Sequence, residues 1–482
     1  MPTIRRALAL VAGVLLLAPS GPGTAAAVTS TCADQRVPLR LVTNGSASLA
    51  TTSASTSSSA GQQPGATDRG TVALVATTAG PGRVAVTRYR SGADYAYATD
   101  GASRHALEVA GYRSDGETLY GAATPAPGCT VTVYQLQRGG KHQLAVGGAA
   151  VSALAKAGWS VQGPLLHGAD VPGRTRPVTT GPVAGPLPAN DADTVFRMVV
   201  LPDTQEEVHT DADARLRQRS AYIAAHQQSW DVRLAVSVGD IADWDTPDHA
   251  QYARSAAQLD PLVRAVPFVA AVGNHDTQAV CPGGSACAGL SARTTVRDTT
   301  VFNTYFPADR FSLLRGEYEP GKIDNAYHTF RAGGVDWLVI NLELWPRAQV
   351  VDWAARVVAA NPHKNVVVVT HSYLTKGGKI MSDNGGYGST SPKYLWDHLI
   401  KVYPNVKIVL SGHTGKDKVR LDKGKNGNVV VSYLQCFHSR TANPFRRLSI
   451  HTKTGRIYST IYTPSTGKKV NTKSVKGLTF VR

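Results

Sequence analysis

The sequence predicts a layered α/β domain in which two sheets pack face to face, preceded by a small, mainly β repeat domain. Three observations carry this. From Thr194 onward short apolar runs alternate with helical segments, and beyond Asn428 only strand patterns remain. Before residue 170 a loose repeat recurs at intervals of about 45 residues. Between these regions lies a stretch broken by Pro172-Gly173, Pro177, Gly181-Pro182, Gly185-Pro186 and Pro188. Alternation of the two periods is the signature of stacked sheets with covering helices, whereas clustered Pro and Gly prevent any regular element.

The chain divides accordingly. Arg5 and Arg6, the uncharged run 7–18 and Ala25-Ala26-Ala27 have the three parts of a signal peptide over residues 1–27, and the run is too short to span a bilayer. Arg5-Arg6 leaves general and twin-arginine export both open. No later segment reaches transmembrane length, so a secreted or envelope-associated protein is expected. Residues 28–170 form the repeat domain, 171–192 the linker, 193–470 the α/β domain and 471–482 a tail.

In the repeat domain Tyr89-Arg90-Ser91 returns as Tyr134-Gln135-Leu136, and Gly111-Tyr112 as Gly158-Trp159. A fainter copy starts at Leu39-Arg40-Leu41, with the Ser/Thr-rich tract 46–59 as noise within it. The region resembles the three-repeat, lectin-like modules attached to exported bacterial enzymes. The formal charge is +17, and +15 once two leader arginines are removed. That surplus suits contact with anionic wall polymer, glycan or phosphorylated substrates, and equally a generally basic soluble surface. Of the five cysteines, Cys281 and Cys287 bracket a short loop and Cys32 and Cys129 share the N-terminal region; these are the pairs open to bridging. Cys436 is left over.

Strands are expected at 196–201, 234–238, 266–272, 337–342, 366–370 and 408–410, then 429–434, 447–451 and 457–462. Helices are expected at 211–230, 250–259, 350–360 and 392–402. Each early strand runs into a chemically loaded turn. Leu201 leads to Pro202-Asp203-Thr204-Gln205, and Val238 to Gly239-Asp240-Ile241-Ala242-Asp243. Val272 leads to Gly273-Asn274-His275-Asp276, Thr370 to His371, and Leu410 to Ser411-Gly412-His413-Thr414-Gly415. A single Asp or His at a strand end is an ordinary turn or buried polar residue. Five in order converge carboxylates and imidazoles on one edge, and divalent ions offset such charge.

The order Asp-x-Gln, Gly-Asp-x-x-Asp, Gly-Asn-His-Asp, His, Gly-His resembles the calcineurin-like metallophosphoesterases, across roughly residues 194–465. The resemblance implies an α/β/β/α sandwich and a secreted hydrolase, a phosphatase or phosphodiesterase acting on phosphate mono- or diesters. It implies two divalent metal ions, the first held by Asp203, Gln205 and Asp240, the second by Asp240, Asn274, His371 and His413. His275 is then left free of metal, placed to stabilise charge or protonate the leaving oxygen, with Asp276 available to orient it. Asp243 is either a support to the ligands or the N-terminal residue of the next helix. The 97 residues from Asn274 to His371 hold the Cys281–Cys287 loop, expected to shape the substrate pocket.

Two departures from the family pattern fall on one side. Gln205 stands where His is usual, and Gly415 stands where a second His binds the first metal. Both weaken the first position and leave it oxygen-only, suited to Mg, Mn or Ca; the second suits Zn, Mn or Fe. Asp-Thr-Gln also recurs among exported bacterial members of the family. His209, His226, His249 and His328 lack such a context and are expected on the surface or in the core. No nucleic-acid module or Gly-rich nucleotide loop is evident. The other reading of these residues is a noncatalytic wall- or glycan-binding protein with a degenerate phosphoesterase domain.

Overall fold

A computed structural model describes residues 32, 34–45, 47–126, 128–171, 182–188, 192–209 and 214–482. The leader, most of the linker and the start of the helix expected at 211 lie outside the described residues. No described helix is long and apolar enough to cross a membrane.

Two sheets carry the α/β domain. One holds Phe268–Ala270, Val232–Ser237, Val195–Leu201, Phe445–His451, Arg456–Thr463 and Lys468–Asn471 in that order. The other runs Leu314–Glu317, Ala326–Ala332, Val335–Leu342, Asn365–Thr370, Val406–Ser411, Val429–Gln435, Asp417–Lys423. Within each sheet the strands that feed the loaded turns are parallel.

The period of two along Val195–Leu201 shows why the layers form. Met198 and Val200 point into an inter-sheet core with Val236, Trp337, Val367, Val369 and Leu410. Val199 and Leu201 point the other way, onto a core with Leu216, Ile223, Leu259 and Leu262 from the helices Arg215–Ala225 and Ala250–Ala265. The outer face of the second sheet is covered by Ala348–Ala359 and Pro392–Leu395. With both faces buried, the strands read as continuous apolar runs rather than alternating ones.

Some elements differ from expectation. The expected helix 211–230 breaks at His226 into Arg215–Ala225 and Gln227–Trp230, ending at left-handed Asp231. The helix expected to stop at Leu259 continues to Ala265 through Pro261. Proline removes one helical N–H, but burial of Leu262 and Val263 holds the last turn in place. The hairpin of Leu314–Glu317 with Ala326–Ala332 and the edge strand Asp417–Lys423 went unread. All three are half-exposed and mix polar with apolar residues, which weakens the signal.

The N-terminal region is three β-β-α-β units: Val37–Val75, Arg83–Ala122 and Val131–Gly168 span them. The repeated aromatics occupy matching places. Tyr89 and Tyr112 pack under the second helix, Tyr134 and Trp159 under the third. The first helix, Ala54–Gly61, falls in the Ser/Thr tract treated as noise; Ser53 caps it, accepting from the Thr56 N–H. Cys32–Cys129 and Cys281–Cys287 are disulfide-bonded, and Cys436 is free and buried.

Candidate active site

The sandwich brings the C-terminal ends of both parallel sets to one edge. The first sheet delivers Asp203, Asp240, Asn274 and His275; the second delivers His371 and His413. Two glycines let the turns close around the acids. A methyl group at Gly273 would collide with Asp240 Oδ1, and one at Gly412 with Asp203 Oδ1. Asp240 (φ 51°) and His413 (φ 73°) both hold left-handed backbone, a strained state that persists where surrounding structure over-determines it.

Asp240 lies at the centre. Its Oδ2 is 2.9 Å from His371 Nε2, and its Oδ1 accepts from the His275 backbone N–H at 3.0 Å. His371 Nδ1 lies 2.8 Å from the Val238 carbonyl, so it donates there and Nε2 faces the site. Burial would raise the Asp240 carboxyl, yet His371, His275 and His413 hold it well below the carboxylate range. Burial lowers the ring of His371, but Asp240 and then Asp203 raise it to about 9. Burial and the His371 charge push His413 down to about 4. Ligand atoms of Asp240, His371 and His413 lie within 4.8 Å of one another.

Three further oxygens are buried without a hydrogen-bond partner among the described residues: Asp203 Oδ1, Gln205 Oε1 and Asn274 Oδ1. Their residues are 3%, 5% and 7% exposed. Such atoms carry a desolvation penalty unless something cationic or donating meets them. Oxygens and imidazole nitrogens converging in this way fit divalent ions.

Gln205 is fixed by its amide. Nε2 donates to Asp243 Oδ1 at 3.1 Å, which leaves Oε1 as the free end. Asp243 also receives His209 Nε2 at 2.9 Å and His275 Nδ1 at 2.9 Å, and its backbone carbonyl lies 2.6 Å from the same Nδ1. Asp243, rather than Asp276, therefore orients His275. Asp276 is fully buried and accepts from the backbone N–H groups of Gly273, Ile241 and Ala242, tying two turns together. Consecutive residues of a tight turn point apart, so adjacency in sequence misassigned this role. Burial disfavours a charged His275, but Asp240 and Asp243 raise it to about 10.

His209 is thus a site-edge residue that its sequence context did not reveal. His328 sits in the core against Asn341 Oδ1 at 3.0 Å, and His249 pairs with Asp245 at 2.5 Å. Cys436 and His438 were also missed. His438 Nε2 is 3.0 Å from Asp203 Oδ2, and ligand atoms of Asp203, Cys436 and His438 lie within 4.8 Å of one another. Neither belongs to a strand-end motif; the only sequence signal was an unpaired cysteine two residues before a histidine.

The Cys281–Cys287 loop lies over the site. A methyl group at its Gly284 would come 3.7 Å from His275 Cε1 and 3.9 Å from Asp243 Oδ1.

Residues 196–417 match the family model described as calcineurin-like phosphoesterase. An uncharacterized Bacillus subtilis protein, YvnB, is 23% identical over 230 residues, which is 47% of this chain and 16% of that protein. The chain thus spans well under a quarter of that relative's length. A dimetal phosphatase from Danio rerio is similar at 12% identity and a TM-score of 0.37, over 57% of this chain and 98% of that one. PhoD is similar at 12% identity and a TM-score of 0.36, over 83% and 88%. The NAD nucleotidase of Haemophilus influenzae is similar at 9% identity and a TM-score of 0.28, over 59% and 50%.

Proposed function

We propose that the chain, whose residues 196–417 match the calcineurin-like phosphoesterase model, is an exported metal-dependent phosphoric ester hydrolase that acts on phosphate mono- or diesters, with His275 as the acid for the leaving oxygen. Asp203, Gln205 and Asp240 would hold one divalent ion, and Asp240, Asn274, His371 and His413 the other. The observation that carries this is the set of buried, unpaired oxygens of Asp203, Gln205 and Asn274 beside the Asp240, His371 and His413 cluster.

Two such ions, when bound, supply Lewis-acid charge that screens the phosphate oxygens and acidifies water. The chain's own residues do the rest. Asp240, with Oδ2 at His371 and Oδ1 at the His275 backbone N–H, would be the residue the two ions share. The Val238 carbonyl and the Asp243 carboxylate take the His371 Nδ1 and Gln205 Nε2 hydrogens, which leaves His371 Nε2 and Gln205 Oε1 facing the site. His275, held by Asp243 through Nδ1, keeps Nε2 for the substrate's leaving oxygen, and the two carboxylates beside it favour the protonated ring. The disulfide loop walls that side.

Export and contact with anionic wall polymer or glycan belong to the same proposal. They are supported by the leader pattern, two disulfides and a surplus of basic residues.

The test is hydrolysis of aryl phosphate mono- and diesters with added Mn, Zn, Mg or Ca, beside Asp240→Asn and His275→Ala. Metal-dependent turnover reduced by both substitutions is expected. No turnover with any ion, or turnover that neither substitution lowers, would sink it. Binding of the full chain to isolated cell wall, weakening as salt rises, tests the partner.

A further inference from the structure

The first metal position was expected to be oxygen-only and weak, because Gly415 replaces a histidine. The backbone there offers nothing: Gly415 is left-handed (φ 75°) and packs against Lys376. Twenty-three residues later the chain returns to the same place. The strand Val429–Gln435 runs parallel to Val406–Ser411 and so ends at the same edge. Cys436 follows, its N–H bonded to the Lys416 carbonyl at 2.9 Å, and its side chain is fully buried. Next come Phe437 (φ 70°) and His438 (φ 41°), two consecutive non-glycine residues in left-handed backbone. That backbone is strained, and it turns the His438 ring back over Asp203. The His438 N–H bonds the Cys436 carbonyl at 3.0 Å, closing the tight turn.

We infer that Cys436 and His438 join Asp203 at the first metal position, with His438 supplying the imidazole that Gly415 does not. This rests on the phosphoesterase reading and deepens it. Two independent features support it. The three ligand atoms lie within 4.8 Å of one another, and Asp203 Oδ1 is buried without a partner among the described residues. Asp203 Oδ2 already meets His438 Nε2 at 3.0 Å and the His413 N–H at 2.9 Å, so the carboxylate is held in one orientation. An oxygen, sulfur and nitrogen set selects a borderline-soft ion such as zinc or iron over magnesium or calcium. The donor set therefore reverses the preference expected from Gln205 and Gly415 alone.

The test counts ions and reads the ligands rather than the activity. The full chain is stripped with chelator, reloaded with Co(II) or Zn(II), and its metal content measured. The wild type is expected to hold two ions and, with Co(II), to show a near-ultraviolet thiolate-to-cobalt absorption. His438→Ala and His438→Gln should weaken one ion by about 100-fold or more while the other stays; His413→Ala should lose the other. Cys436→Ser should abolish the thiolate band while circular dichroism is unchanged. Two ions held with wild-type affinity in both His438 variants, or a wild-type cobalt spectrum without a thiolate band, overturns the inference and leaves the phosphoesterase reading intact. A wild-type chain that takes up no ion overturns that reading as well.

Discussion

Two clusters of ligand atoms, Asp203 with Cys436 and His438 and Asp240 with His371 and His413, are built differently. On one side Asn274, His371 and His413 come from the first turn after three parallel strands. On the other, Asp203 comes from such a turn, Gln205 from a short 3-10 segment held by Asp243, and Cys436 and His438 from an irregular loop beyond a later strand. The first side is rigid because the strands that end there are buried on both faces. The second depends on side-chain hydrogen bonds and a strained turn. Equivalent chemistry can thus be reached from a scaffold or from a loop, and only the scaffold route leaves an ordered motif.

The comparison can be broken first at its shared member. Asp240→Ala should remove both ions and reduce turnover by at least about 10³-fold, read by metal content and kcat together; loss of a single ion would show that Asp240 serves one side only. Next, His275→Ala should cost on the order of 10²-fold on alkyl esters and much less on esters of acidic phenols, because the latter need no proton. An equal loss on both would make His275 a binding residue. Its pH profile follows from the same geometry. In the ion-free chain His275 gains its proton stability from Asp240 and Asp243, so the charged ring is present at neutral pH and is lost as pH rises through about 10, read by NMR titration of the chelator-stripped protein.

The glycines separate the two sides. Gly273→Ala pushes on Asp240 and should disturb both ions. Gly412→Ala pushes hardest on Asp203 and should disturb the Cys436–His438 side more than the other. Each is expected to cost about 1–3 kcal/mol of stability, measured by thermal melting alongside metal content. The smallest effect is expected from Cys281→Ser with Cys287→Ser, a severalfold rise in KM with metal content unchanged.

Much of the site was legible because its residues follow strands whose apolar runs are unmistakable. Asp203, Asp240, Asn274, His275, His371 and His413 all sit in the first turn beyond such a run. What stayed illegible is what proximity in space creates without proximity in sequence. Asp243 binds Gln205, His209 and His275, which are 38, 34 and 32 residues away. His438 reaches Asp203 across 235 residues. Asp276 was misread for the opposite reason, since its neighbour in sequence is not its neighbour in space. The sheets followed the same rule: doubly buried strands were read, and the half-exposed hairpin Leu314–Glu317 with Ala326–Ala332 was not.

The disulfide loop over His275 also faces the other way. A methyl group at Gly148, in the helix Gly147–Lys156 of the third repeat unit, would touch Cys287 Sγ at 3.3 Å and Cys281 Sγ at 3.5 Å. The Ala288 N–H donates to Ser152 in that helix, and Leu290 packs on the Tyr134–Trp159 cluster. The repeat domain therefore stands one disulfide away from His275 and braces the loop beside the candidate site. The two domains are not interchangeable cassettes: exchanging the repeat domain for another would reshape the mouth of the enzyme, whatever else that domain binds.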